Sequence, residues 1–193
     1  MKNIIVLTFV LVTSMSVMSL RAQNPFTLEL RSGVDFATQD LGRAGLKPGL
    51  ALEGIADYKF FSNLGVYAGW GWNKFAVESS YAGVEDDFEQ TGYMLGLSTD
   101  YPVGRSPIAI YARAGGIYNH IEIEHVAGDI IEDSGHGWGW QVSAGIDLSL
   151  SAGWQLKPGV KFQSLSRDLE METIKTSVDL NYLQVSIGIA KKF

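Results

Sequence analysis

The chain has 193 residues, with 15 Lys and Arg against 21 Asp and Glu, a net charge of −6, and no Cys. The acidic balance argues against nucleic acid as a partner. Without Cys there is neither a disulfide framework nor a thiolate metal site. Gly 22, Tyr 8, Phe 9 and Trp 5 against only 5 Pro suit a β protein of about eight strands.

The chain opens Met1-Lys2-Asn3, runs apolar over residues 4–12, and turns into a Ser/Thr/Met stretch ending Ser19-Leu20-Arg21-Ala22-Gln23. A basic start, a short apolar segment and a small residue before a polar one make a secretory signal peptide. The expected division is a leader at 1–22 and a single barrel domain at 23–193, with cleavage after Ala22 or, alternatively, after Ser19. A membrane anchor would need about twenty apolar residues, and Thr8, Thr13, Ser14 and Ser16 interrupt this segment. Loss of the leader removes Lys2 and Arg21 and no acid, which moves the net charge from −6 to −8.

From there the pattern is a period of two, which means strands with unlike faces. Residues 26–36 set Phe26, Leu28, Leu30, Val34 and Phe36 against Thr27, Glu29, Arg31, Gly33 and Asp35. After a Gly/Asp-rich loop at 37–47, Leu50, Leu52, Ala56, Tyr58 and Phe60 oppose Glu53, Asp57 and Lys59. A tight turn at Ser62-Asn63 leads to a third strand, 64–77, with Val66, Ala68, Trp70 and Trp72 opposite Tyr67, Gly69, Gly71 and Asn73. An acidic loop is expected over 78–88. A fourth strand follows, with Tyr93, Leu95, Leu97 and Tyr101 on one parity and Asp100 on the other.

A short turn centred on Gly104 precedes the least regular strand, 108–124. Ile108, Ile110, Ala112 and Ala114 share one parity, with Tyr111, Arg113 and Gly115 opposite, whereas Ile117, Ile121 and Ile123 fall on the second. A bulge near Gly115-Gly116 is expected to reset the faces. A loop over 125–137 leads to a strand in which Trp138, Trp140, Val142, Ala144, Ile146 and Leu148 oppose Gln141, Ser143, Gly145 and Asp147. Ser151-Ala152-Gly153 turns the chain. Trp154, Leu156, Val160 and Phe162 then oppose Lys157, Gly159, Lys161 and Gln163, a loop is expected over 167–176, and the last strand sets Leu183, Val185, Ile187, Ile189, Lys191 and Phe193 against Tyr182, Gln184, Ser186, Gly188, Ala190 and Lys192.

Alternation that runs to a terminal aromatic resembles the closing strand of bacterial outer-membrane β-barrels, which implies that Phe193 serves as an assembly signal read by the barrel-assembly machinery. The whole pattern resembles the small OmpA/OmpX-type eight-stranded barrels and the porin-like outer-membrane β-barrel domain proteins, with Ala22-Gln23 at the leader's end and Gly-x-x-x-x-Phe at Gly188 to Phe193. The resemblance implies an all-β, eight-stranded antiparallel up-and-down transmembrane β-barrel in the bacterial outer membrane, surrounded by outer-membrane lipid. Lys191 departs from the usual apolar or aromatic residue there, although a Lys near the interface snorkels. Short turns near Ser62, Gly104 and Ala152 alternate with four connections near residues 42, 83, 130 and 171 of roughly ten residues or more, the rhythm of such barrels.

Alternation alone leaves open whether the apolar face meets lipid or a dry cavity, as in a lipocalin. Aromatic placement favours lipid: Phe26, Tyr58, Tyr101, Trp154 and Phe193 fall at the short-turn end, and Phe36, Trp72, Tyr93, Trp138 and Trp140 toward the other. The second parity holds Glu29, Asp35, Glu53, Asp57, Asp100 and Asp147 with Arg31, Lys59, Arg113, Lys157, Lys161 and Lys192. Equal numbers of acids and bases are what a filled, cross-linked interior needs, since an unpaired buried ion costs several kcal/mol. Glu29, Arg31, Glu53, Asp57, Lys59, Asp100, Arg113, Asp147, Lys157 and Lys161 are therefore the expected lumen charge network.

No motif specifies catalysis, a cofactor or a metal. Ser134-Gly135-His136 with Glu132 offers a nucleophile, base and orienter, but on one loop without a rigid support. His120 and His125 with Glu122 and Glu124 are metal-ligand types at a spacing that fixes no site. The expected protein is a monomeric, non-enzymatic outer-membrane barrel with a structural or surface-interaction role, its acidic loops open to a surface ligand. The alternatives are a narrow pore for small solutes and a lipid A-modifying barrel enzyme.

Overall fold

A computed structural model of the chain describes residues 25–38, 46–76, 86–125, 130–171 and 174–193. The expected leader lies outside them. The elements are β1 (Phe26–Ala37), β2 (Gly49–Lys59), β3 (Leu64–Ala76), β4 (Asp86–Pro102), β5 (Ile108–His125), β6 (Ile130–Asp133), β7 (Gly137–Ser149), β8 (Trp154–Met171) and β9 (Ile174–Lys192). Among the described residues every pairing is antiparallel, strands pair in chain order except that β7 joins β5 past β6, and β1 closes the sheet on β9 from Thr27↔Lys192 to Ala37↔Tyr182. β6 and β7 both pair with β5, at its tip and along its body respectively, so they act as successive pieces of one barrel strand. The result is a closed eight-stranded barrel.

Strand stagger follows from the register. Partners lead from Leu28 to Ala56, Ala68, Leu95, Gly116, Trp140, Ser164 and Asn181, whose carbonyl accepts the Thr38 N–H at 2.8 Å, ten residues beyond the start. A stagger of this kind tilts the strands and sets the bore, which in an eight-stranded barrel is just wide enough to be filled by side chains. The β7–β8 ladder is interrupted beside Pro158, which has no N–H to donate. The tight turns at one end use Gly104 (φ 62), Ala152 (φ 56) and Gly153 (φ 76).

Alternation assigns the two faces. Leu28, Leu30, Leu95, Leu97, Ile110, Val142, Val185, Ile187 and Ile189 are exposed on the outer wall, while Glu29, Arg31, Glu53, Asp57, Tyr67, Tyr111 and Arg113 are buried inside. An exposed belt this apolar matches a lipid-facing band. Trp70, Tyr93, Tyr118 and Trp138 are cross-strand partners in one outward row. At the opposite end Phe26 and Phe193 lie 6.3 Å apart between ring centroids, and the Phe193 N–H donates to the Phe26 carbonyl at 2.8 Å.

Two expectations are corrected. The β4–β5 register runs without a break from Asp86↔His125 to Pro102↔Ala109, and β5–β7 from Ile108↔Leu148 to Asn119↔Gly137, so no bulge resets the faces at Gly115-Gly116. Ile117 and Ile121 keep the parity of Tyr111 and Arg113 and are buried in the lumen. The hairpins also extend further than expected. β8 pairs β9 up to Met171↔Ile174, β4 begins at Asp86, and β6 occupies part of the stretch over 125–137. Ladder bonds are made by backbone, and beyond the membrane both faces are wet, so the polar contrast that marks a strand in the sequence fades while pairing continues. Residues 39–45, 77–85, 126–129 and 172–173 lie outside the described residues, as do the side chains of Glu124, His125 and Glu132.

Candidate functional site

Inward parity brings the charges of the lumen together from β1, β2, β4, β5, β7 and β8. Glu29 is the hub. Its Oε1 accepts from Arg31 Nε at 2.8 Å, and its Oε2 accepts from Arg113 Nη2 at 2.7 Å. Lys157 Nζ lies 3.8 Å from Glu29 Oε2 and 3.6 Å from Asp147 Oδ2. Arg113 Nε also faces Asp57 Oδ2 at 3.8 Å, and Lys59 joins Asp57 at 3.7 Å to Asp100 at 2.9 Å. These contacts link four acids and four bases in one network. Lys161 and Glu53 form a separate buried ion pair.

Neutral groups complete the layer. Arg31 Nη1 donates to Ser186 Oγ at 2.9 Å, Gln155 Nε2 to Asp147 Oδ2 at 2.8 Å, and Gln141 Nε2 to Tyr67 Oη at 3.0 Å. The Tyr111 ring has Arg31, Arg113 and Lys157 at 5.4, 5.5 and 4.8 Å from its centroid, so its π face shares the positive charge. Small residues make room for these rings. A Cβ on Gly115 would lie 2.6 Å from Tyr67 Oη, and one on Gly159 would overlap Tyr111 Oη. Of the remaining sequence-selected charges, Asp35 is buried and accepts from Asn73 Nδ2 at 2.5 Å, while Lys192 is exposed at the mouth.

The outer part of the lumen also holds an apolar cluster among buried Asn73, Gln90 and Gln163, which sequence patterning did not single out. Ile55, Tyr67, Phe75, Met94, Ile117, Ile121, Leu165, Leu180 and Tyr182 form one buried cluster, with Phe75 and Tyr182 edge-on at 5.4 Å. The sequence signal was available: Ile55, Met94, Ile117 and Ile121 are large apolar residues on the polar parity. Between the apolar and charged layers lies a pocket of about 10 Å³, lined in part by Arg31, Glu53, Tyr67, Arg113 and Lys161. A single water needs about that much space.

Outside the lumen, Ser134 is held by backbone: its N–H donates to Ile121 O at 3.0 Å, its Oγ accepts from Ile121 N–H at 2.9 Å and donates to Gly135 O at 3.0 Å. The turn is thus tied to β5, a correction to the expectation of an unsupported loop, and its hydroxyl is engaged with backbone. His136 instead stacks on His120, with ring centroids 4.4 Å apart. Lys191 points outward with strict alternation. Its Nζ lies 5.3 Å from the centre of the Trp154 ring and donates to Ala152 O.

Solved structures show the same architecture. Neisserial surface protein A is similar with a TM-score of 0.66 at 15% identity, over 88% of this chain and 97% of that one. The outer membrane protein OprG of Pseudomonas aeruginosa has a TM-score of 0.58 at 18% identity, over 87% and 95%. Outer Membrane Protein W of E. coli has a TM-score of 0.58 at 14% identity, over 90% and 100%. At these identities the likeness is one of fold. A search of curated proteins by sequence returns no match. The profile of the outer membrane protein beta-barrel domain matches residues 7–193, and the protein belongs to that family of bacterial outer-membrane barrels.

Proposed function

We propose that the protein is a non-conducting, non-enzymatic barrel whose lumen is a structural core and whose extended outer hairpins present an acidic surface to external ligands. The observation that carries this reading is the two-layer filling of the bore: a charge network below an apolar cluster, with a pocket of about 10 Å³ between them. A hydrated ion crossing this core would have to strip its water beside side chains whose charges already have partners, at a cost of several kcal/mol. In this reading Phe193 is the assembly signal, the leader at 1–22 is removed, and the barrel is a monomer.

The test is reconstitution in planar lipid bilayers. No stable single-channel steps are expected, and reproducible steps from the wild-type protein would replace this proposal with a narrow pore. Lipid A from cells making the protein is expected to have an unchanged mass spectrum. A mass change lost in a Ser134→Ala variant would establish an enzyme instead.

A further inference from the structure

The outer wall above the aromatic row carries an arrangement that the lumen does not explain. Cross-strand pairing places Lys74, Glu89, Glu122 and Asp133 in one outward row over β3, β4, β5 and β6. Lys74 meets Glu89 at 2.8 Å and Asp87 at 3.2 Å. Further along the row Glu122 and Asp133 are direct partners, and like charges placed opposite one another are unfavourable. His120, two residues before Glu122 and on the same face, turns Nδ1 toward both carboxylates, 3.1 Å from Asp133 Oδ1 and 3.6 Å from Glu122 Oε1.

We infer that His120, Glu122 and Asp133 form a binding site for a first-row divalent transition-metal ion on the extracellular rim. The three ligand atoms lie within 4.8 Å of one another. Metal–ligand bonds of about 2.0–2.2 Å at tetrahedral angles separate ligand atoms by about 3.3–3.6 Å, close to both His120 distances. An imidazole with two carboxylates selects Zn²⁺ and its neighbours over Ca²⁺ or Mg²⁺, which take oxygen ligands alone.

The framework is also rigid. The Ser134 clamp onto Ile121 fixes the chain beside Asp133, and Gly135 takes the left-handed conformation (φ 64) that turns β6 into β7. The Gly135 N–H donates to Asp133 Oδ1 at 2.8 Å. This bond and the contact with the His120 ring fix the orientation of the Asp133 carboxylate, with one oxygen held toward the imidazole. His136 covers one face of the His120 ring and Tyr118 lies against His136, centroids 5.1 Å apart, limiting the ways the imidazole can turn.

The experiment is titration of the purified protein in detergent micelles with Zn²⁺ by calorimetry near neutral pH, followed by Co²⁺ as a spectroscopic probe. One Zn²⁺ per chain is expected, with visible Co²⁺ absorption of low coordination number. Affinity is expected to fall by at least about tenfold in His120→Ala and in Asp133→Asn, since even partners one shell out from a metal are worth about that much. Heat-modifiable gel mobility identifies folded barrels in both variants, and either folded variant suffices. Absence of Zn²⁺ binding, affinity unchanged in a folded variant, or Ca²⁺ bound as tightly as Zn²⁺ would each overturn the assignment.

Discussion

Arg113 on β5 spans the lumen to Glu29 on β1, Nη2 to Oε2 at 2.7 Å, and so joins two strands that share no ladder hydrogen bond. The same carboxylate also faces Arg31 and Lys157, so this one anion compensates three cations. Glu29→Gln keeps the shape and leaves those cations facing one another. A loss of about 3–5 kcal/mol is expected, the range for breaking a buried pair from one side. The urea unfolding midpoint in micelles reads this directly. A second substitution, Arg113→Met, is expected to restore part of the loss, and strictly additive effects would contradict the network.

Gly159 tests the packing of Tyr111. Alanine there brings its Cβ against Tyr111 Oη and 2.8 Å from Ala144 O. Overpacking of this kind costs about 1–3 kcal/mol. Removal of the hydroxyl in Gly159→Ala/Tyr111→Phe is expected to recover part of that cost, leaving the part due to the β7 backbone. Thermal unfolding followed by gel mobility compares the three variants with wild type.

The apolar layer makes a different prediction. Phe75 is fully buried against Tyr182, and Phe75→Ala is expected to cost about 3–5 kcal/mol as a cavity-forming change. Planar bilayers are nevertheless expected to stay silent, because the charge network below remains closed. Channel steps from this variant would place the barrier in the apolar layer alone.

Lys74 sits outside the membrane, where its pairing with Glu89 and Asp87 raises its pKa above the ordinary lysine value; the hydrogen bond to Glu89 is the main cause and outweighs desolvation. A raised cationic pKa means that the stabilisation is complete below the unfolded value, about 10.4, and is lost only as pH climbs through the folded one. Lys74→Met is therefore expected to weaken the β3–β4 hairpin equally from pH about 6 to 9. Its side chain is 34% exposed, so the effect stays within about 0.2–1 kcal/mol and shrinks in high salt. Hydrogen exchange at the tops of β3 and β4 is the measurement.

Much of the architecture is legible from parity, because lipid outside and a crowded polar bore inside impose opposite demands on alternate residues. That contrast fails where either side changes character. In β5, Ile117 and Ile121 read as lipid-facing because they are apolar, yet they fill the apolar cluster of the lumen; hydrophobicity reports what a side chain avoids and leaves its address open. Above the membrane, 86–88 and 167–171 read as loops because charged residues crowd both stretches, while the backbone ladder continues. Parity groups the charged residues on one face, but their division into a large network and the separate Lys161–Glu53 pair depends on the ten-residue stagger, which no local pattern encodes. The same holds for His120, Glu122 and Asp133, which meet only through the β5–β6 register.

The seam between β1 and β9 has a kinetic meaning. Its eleven registered pairs join the two segments of the barrel most distant in sequence, so they close the largest loop and carry the greatest entropic cost of encounter. Until β9 arrives, β1 is an edge with its hydrogen-bonding groups unmet, as open to a neighbouring chain as to its own partner. The step that ends this exposure brings Phe193 against Phe26, so the contact that marks a finished cylinder is also a natural reporter for timing when insertion is complete.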